Sequence, residues 1–224
     1  MLRVSGTVKG RKGPPRRAYS SPLRAERARR TRQSVVEAAR DLYLTKGYAA
    51  ATMSAVAARA GVATDTVYHL FGTKRSVLEA VLDVVVGGDD EDVALLDRAG
   101  PQAMRHETDQ RRQLALLAEG MTHQLERLRP VDDILRGAAA ADPQVAALRD
   151  DVQLRQRRAA MTTVAGWVAA RGPLRDAMPV ERAAAALWTL TSPEVHHMLR
   201  EVWRWTPQEY QEWLRRQMEA ALLG

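Results

Sequence analysis

The feature that most constrains this chain is a pair of short helical runs separated by a glycine. The stretch "AVAARAGVATDTVYHLFGTK", residues 55–74, spaces Ala and Val as a helix does up to Gly61 and resumes after a few residues. The spacing predicts one helix over residues 53–60 and another over 64–71. Thr52 is expected to cap the first, Thr64 the second and Thr73 a third that follows. Gly61 falls at the turn, where a positive φ costs glycine nothing. Val56, Ala60, Val62, Val67 and Leu70 then point into a common core, and Ala57 falls where two helices cross too closely for a larger side chain. That is a helix-turn-helix, two helices at a steep angle around a short turn. Thr64, Asp65, Thr66, Tyr68 and His69 project outward from the start of the second helix. In such a motif these first residues meet base edges and phosphates in a major groove. A short helical hairpin in any all-helical protein could supply the same glycine and a surface Tyr-His pair, so the pattern alone leaves both readings open.

Charge distribution separates them. The net charge is +7, but residues 1–32 hold eleven Lys/Arg against the single acid Glu26, whereas residues 81–224 hold 18 Arg, no Lys and 22 acids. A polyanion near the N-terminus fits that asymmetry, and a solvated tail without a role fits the first twenty residues equally well. Those residues are rich in Gly, Pro and basic side chains and are expected to be a disordered tail. The arm that follows, with Arg27 and Arg30, is placed to lie along or inside an adjacent minor groove. The chain has no Cys, which excludes disulfides and thiolate metal sites and fits a reducing cytoplasm. Nothing resembles a membrane span or a secretory signal.

Elsewhere the pattern is helical. Ser21-Pro22 is expected to open a long helix running to Lys46, with Gly47 as its stop. Further helices are expected near 74–92, 102–128, 131–140, 143–171, 180–191, 193–203 and 207–222, the last opened by a capping box at Thr206-Pro207-Gln208-Glu209. No segment alternates with period two. The fold class is therefore all-α.

The run "TMSAVAARAGVATDTVYHLFGTKRSVLEAVL", residues 52–82, resembles the DNA-binding segment of the TetR family of bacterial transcriptional regulators. The family pattern is met by Thr52, Val56-Ala57, Ala60-Gly61-Val62, Val67-Tyr68, Phe71 and Lys74, and the likeness spans about residues 30–82. Residues 187–214 are more loosely similar to the end of some members' regulatory domain. The resemblance implies a basic tail (1–20), a three-helix helix-turn-helix DNA-binding domain (21–80) and a larger antiparallel helical bundle (81–224) that binds a small molecule and dimerises. It implies that Thr52, Tyr68 and Lys74 hold phosphates, while Thr64, Asp65, Thr66 and His69 are candidates for reading bases. Leu70 and Asp65 depart from the family, which commonly has His and Gly there. Asp65 can accept from cytosine N4 or simply favour the helix dipole. The implied partners are double-stranded DNA with a palindromic operator, a small-molecule effector and a second copy of the chain. No cofactor is expected.

In the bundle, Met121, His123, Leu125, Met161, Val164, Trp167 and Trp188 are candidates to line an effector pocket, although Met and Trp at helical spacing also describe a plain core. Val195, Met198, Leu199 and Val202 form one apolar stripe and Tyr210, Trp213, Leu214 and Ala221 another, fit for an isologous dimer or for burial against their own domain. Glu194 and His197 make one Glu-x-x-His, but no second copy completes a di-metal set, and Glu119 with His123 does not replace it. No phosphate loop or nucleophile elbow occurs, so no enzyme is expected. The expected function is a ligand-released repressor. The alternative is a helix-turn-helix protein whose bundle recruits a protein partner and binds no small molecule.

Overall fold

The computed structural model describes residues 22–89, 91 and 93–224, and the tail of residues 1–20 and the Ser21 cap lie outside them. Among these residues the regular structure is entirely helical. Helix α1 (Pro22–Ala50) is interrupted at Gly47, whose φ of 78° breaks the helical path where the sequence placed a stop. Helices α2 (Met53–Ala60) and α3 (Thr64–Phe71) follow, then α4 (Lys74–Gly87). α1 packs on α2 and α4, and α2 on α3, around Val35, Ala39, Val56, Val67, Val77 and Leu78, all 1 % exposed or less.

Thr52 accepts from the Ala55 N–H and Thr73 from the Ser76 N–H, as caps should. The expected cap at Thr64 is corrected: Ala63 holds the cap position without a side-chain bond, and Thr64 is the first helical residue. Gly61 closes α2 at φ 70°, and the Val62 N–H returns to the Ala57 carbonyl, so two otherwise orphaned helix-end groups are paired. Ala57 is 1 % exposed at this crossing.

The remaining helices are α5 (Ala99–His106), α6 (Gln110–Ala139), α7 (Pro143–Asp150), α8 (Arg157–Ala169), α9 (Val180–Leu190), α10 (Pro193–His197) and α11 (Pro207–Leu222). Four expected boundaries differ. α4 stops at Gly87 because Gly88 turns left-handed at φ 91°. The break expected at Pro130 lies instead at residues 107–109. There Glu107 Oε1 accepts from the Thr108 and Asp109 N–H groups and Asp109 caps α6, while Leu128 and Val131 bury Pro130's turn and carry the helix through it. The helix expected over 143–171 contains a π-helical turn at Asp151–Gln156, and α10 widens into another at Met198–Val202. The capping box opening α11 is complete.

α6 is the spine: it packs against α1, α4, α5, α7, α10 and α11. No helix among the described residues is long and apolar enough to cross a membrane.

Candidate functional site

Two places are candidate sites: the outer face of the helix-turn-helix and a small cavity beside α6. On α3, Val67 and Phe71 turn inward and leave Asp65, Tyr68 and His69 exposed, with Thr64 and Thr66 half-buried. Tyr68 is 51 % exposed, a large ring left half in solvent. Thr52 is exposed while its hydroxyl caps α2. Arg27 and Arg30 are exposed on α1, and Arg30 pairs with Glu26 at 2.9 Å. Lys74 is not a free surface cation. Its Nζ donates to the Ala49 carbonyl at 3.1 Å and lies 4.2 Å from the Tyr48 ring centroid, and burial holds its pKa below the ordinary lysine value. The Arg32 guanidinium lies 4.7 Å from the Phe71 ring centroid, tying α1 to the end of α3. Arg59 and Asp41 join α2 to α1 at 2.8 Å. The result is a rigid platform presenting α3's first turns.

Of the effector-pocket candidates, Leu125 lines the small cavity described below. Met121, Leu125, Met161 and Val164 are buried in the core, Trp167 and Trp188 are packed against it, and His123 points to solvent from the opposite side of α6. Those apolar side chains pack between the helices in or against the core. The Trp188 indole N–H donates to the Gln153 carbonyl, and Arg157 closes the end of α9 by donating to the Trp188 carbonyl and the Thr191 hydroxyl. Burial pushes the Arg157 guanidinium down to about 10.

A cavity of about 10 Å³ lies instead between α6 and α10, lined by Leu125, Leu128, Arg129, Asp132 and Arg136 from one helix and Pro193, His196 and His197 from the other. Asp132 is 3 % exposed, and its Oδ1 has no hydrogen-bond partner among the described residues. Burial raises its pKa above the ordinary aspartate value, against the downward pull of Arg136 and Arg149. His196 Nε2–H donates to Glu126 Oε1, 2.9 Å away, and the ring packs edge-on against Tyr210 with ring centroids 4.8 Å apart. Burial lowers the His196 pKa against the opposing pull of Glu126. Glu126 is itself held low, first by its bond from Arg200. Sequence reasoning missed this group, yet a signal was present. Leu125, Leu128, Asp132 and Leu135 fall on one helix stripe, and a carboxylate on an apolar stripe is out of place.

Of the interface candidates, Tyr210 and Leu214 are fully buried inside their own chain and cannot face a second copy; their ring and methyl groups are spent against α6 and His196. Val195, Leu199, Trp213 and Ala221 are half-buried, while Met198 and Val202 are 51 % and 66 % exposed. Trp203 beside them is 71 % exposed. Glu194 is taken by Arg149 at 2.9 Å.

A model of bacterial regulatory proteins, tetR family, matches residues 35–81. An uncharacterised HTH-type transcriptional regulator, TtgW of Pseudomonas putida, is 40 % identical over 58 residues, which are 26 % of this chain and 43 % of that protein. The likeness to this relative thus spans less than half its length. Among solved structures, NalD, described as the secondary repressor of the MexAB-OprM multidrug efflux pump in Pseudomonas aeruginosa, is similar with a TM-score of 0.65 and 22 % identity over 88 % of this chain and 98 % of that one. SmeT in complex with triclosan is similar with a TM-score of 0.66 and 20 % identity over 87 % of this chain and 92 % of that one.

Proposed function

We propose that this chain, which belongs to the tetR family of bacterial regulatory proteins through residues 35–81, is a cytoplasmic transcriptional repressor. It binds a palindromic operator as a homodimer and releases it when a small molecule enters the bundle. The carrying observation is α3: a short helix anchored by Val67 and Phe71 that leaves Asp65, Tyr68 and His69 exposed beside a basic α1. Thr64, Thr66 and His69 are its candidate base readers, Thr52 and Tyr68 its phosphate contacts, and Arg27 and Arg30 its sequence-blind grip. Lys74 serves by holding the end of α1 in place as much as by charge. Met198, Val202 and Trp203, exposed together after α10, are the apolar surface offered to a second copy. The description of NalD as a repressor and of SmeT as a triclosan complex supports the repressor and effector parts of this reading.

α6 supplies the route between cavity and reading head. Leu125 and Leu128 face the cavity, while Arg127, between them, donates through Nε to the Val85 carbonyl at the end of α4 at 3.2 Å. A guest that parts α6 from α10 moves Arg127, then α4, then the spacing of paired α3 helices. A coupling of about 1–3 kcal/mol releases DNA by roughly 5- to 150-fold.

Selection of bound fragments from random and genomic DNA tests the reading. An enriched palindrome is the expected result; retention of no DNA at low salt overturns it. Screening metabolites for thermal stabilisation separates an effector-sensing bundle from one that only recruits a protein, since the latter gives no hit.

A further inference from the structure

We propose that the cavity between α6 and α10 receives the ammonium head of a small apolar amine, with Asp132 as its counter-ion. This rests on the reading of the chain as an effector-responsive regulator and names the chemical class of its effector.

Size, charge and donor count point the same way. A volume of about 10 Å³ is close to the least that holds one water-sized group, and a primary ammonium is that size. A trimethylammonium or guanidinium head is too large. The nearby cations each have a carboxylate partner, Arg129 with Glu201 at 2.5 Å, Arg149 with Glu194 at 2.9 Å, Arg200 with Glu126 at 2.6 Å and Arg136 with Asp133 at 2.5 Å, which leaves the Nε atoms of Arg129 and Arg149 buried without a hydrogen bond. Asp132 is left with Arg136 at 3.4 Å on one oxygen and no partner on the other. A buried carboxylate in this state is costly until a cation or a proton joins it. His197 Nδ1, also buried without a partner, adds a second polar atom on the cavity wall. An ammonium brings one positive charge and three donors to these acceptors, whereas an anion would meet Asp132. Leu125, Leu128 and Pro193 line the remaining wall and offer apolar surface between the helices for an alkyl tail to enter. The cavity holds the head only, so the tail must push α6 and α10 apart. Binding and displacement are thereby the same event.

Calorimetric titration of the full chain with n-hexylamine, hexan-1-ol and hexanoate, paired with DNA retardation, tests the proposal. Hexylammonium is expected to bind, to raise the unfolding midpoint and to release DNA, while the alcohol and the carboxylate do neither. Asp132→Asn is isosteric and should keep its circular dichroism and its DNA band but bind hexylammonium at least about tenfold more weakly. Glu119→Gln, exposed on α6 and outside the cavity lining, should bind as the unaltered chain does. Equal binding of hexan-1-ol or hexanoate, or undiminished binding by Asp132→Asn, overturns the proposal. A chain that retards DNA but ignores all three compounds overturns it too, and leaves the regulator reading standing.

Discussion

At the helix-turn-helix end, the left-handed backbone positions are Gly47, Gly61 and Gly72; beyond it, besides Gly88, the non-glycine residues Asp176, Ala177 and Arg204 take such conformations. The same contrast holds for polar groups. Among the described residues, the buried side-chain atoms without a partner are Tyr43 Oη and Arg75 Nε up to α4, against eight beyond it, Asp132, Arg129 and His197 among them. Both π-helical turns also fall in the bundle, one beside Arg157 and one directly after His197. Strain and unmet hydrogen bonds are tolerated where alternative packings are useful and removed where one shape must be kept. On the proposed function, the first end reads DNA and must be rigid, and the second receives a guest and must yield.

The largest expected effect breaks the rigid end. Gly61→Val places a β-branched side chain at φ 70°, which costs about 2 kcal/mol or more. Unfolding followed by circular dichroism should show that loss, and retardation of the selected operator should disappear, because the turn sets α3's angle.

Asp132→Asn should act in the opposite direction. Removing a buried, half-partnered charge is expected to stabilise the chain by about 1–2 kcal/mol at pH 7. The sign with pH follows from a folded-state pKa raised above 3.8 by burial, with Arg136 and Arg149 pulling down and Glu194 and Asp133 pushing up. Protonation below that pKa relieves the cost in the unaltered chain, so the gap between the two proteins should narrow as pH falls through it. A gap that widens on acidification would contradict a carboxylate held in this way.

Arg127→Met sharpens the comparison by cutting the link between the ends. Gly87 and Gly88 let guanidiniums approach the end of α4: a Cβ at Gly87 would sit 2.8 Å from Arg98, and one at Gly88 3.3 Å from Arg127. With the bond to Val85 lost, operator binding without effector should change little, while the effector's leverage on it should fall by about 0.5–2 kcal/mol. Operator titrations with and without the effector, for both proteins, measure that difference.

The two ends also differed in how far they could be read from residues alone. Caps and turns are local chemistry, so Thr52, Gly61, Thr73 and the Thr206–Glu209 box stand where the sequence placed them. Thr64 failed as a cap because a threonine one residue early or late looks the same in sequence. In the bundle the decisive facts are long-range. Nothing near Tyr210 announces that it is buried against His196 rather than offered to a second copy, and Pro130 looked like a break because the packing that carries α6 through it lies elsewhere. Asp132 is the exception, a carboxylate whose place on an apolar stripe is visible in the sequence.

The smallest effect gives the cleanest test of why the ends differ. A Cβ added at Gly61 meets nothing within 4 Å, and neither does one added at Gly120, exposed in the middle of α6. Space is thus equal at the two sites, and only backbone conformation separates them: Gly61 is left-handed, while Gly120 lies within the helical run of α6. Gly120→Ala should stabilise by about 0.4–1 kcal/mol, because it removes freedom from the unfolded chain without strain in the folded one. Gly61→Ala should destabilise by about 1–2 kcal/mol for the same added methyl group. Equal shifts of the two unfolding midpoints would mean that the turn at Gly61 relaxes to accept a side chain, and the rigidity assigned to the reading end would go with it.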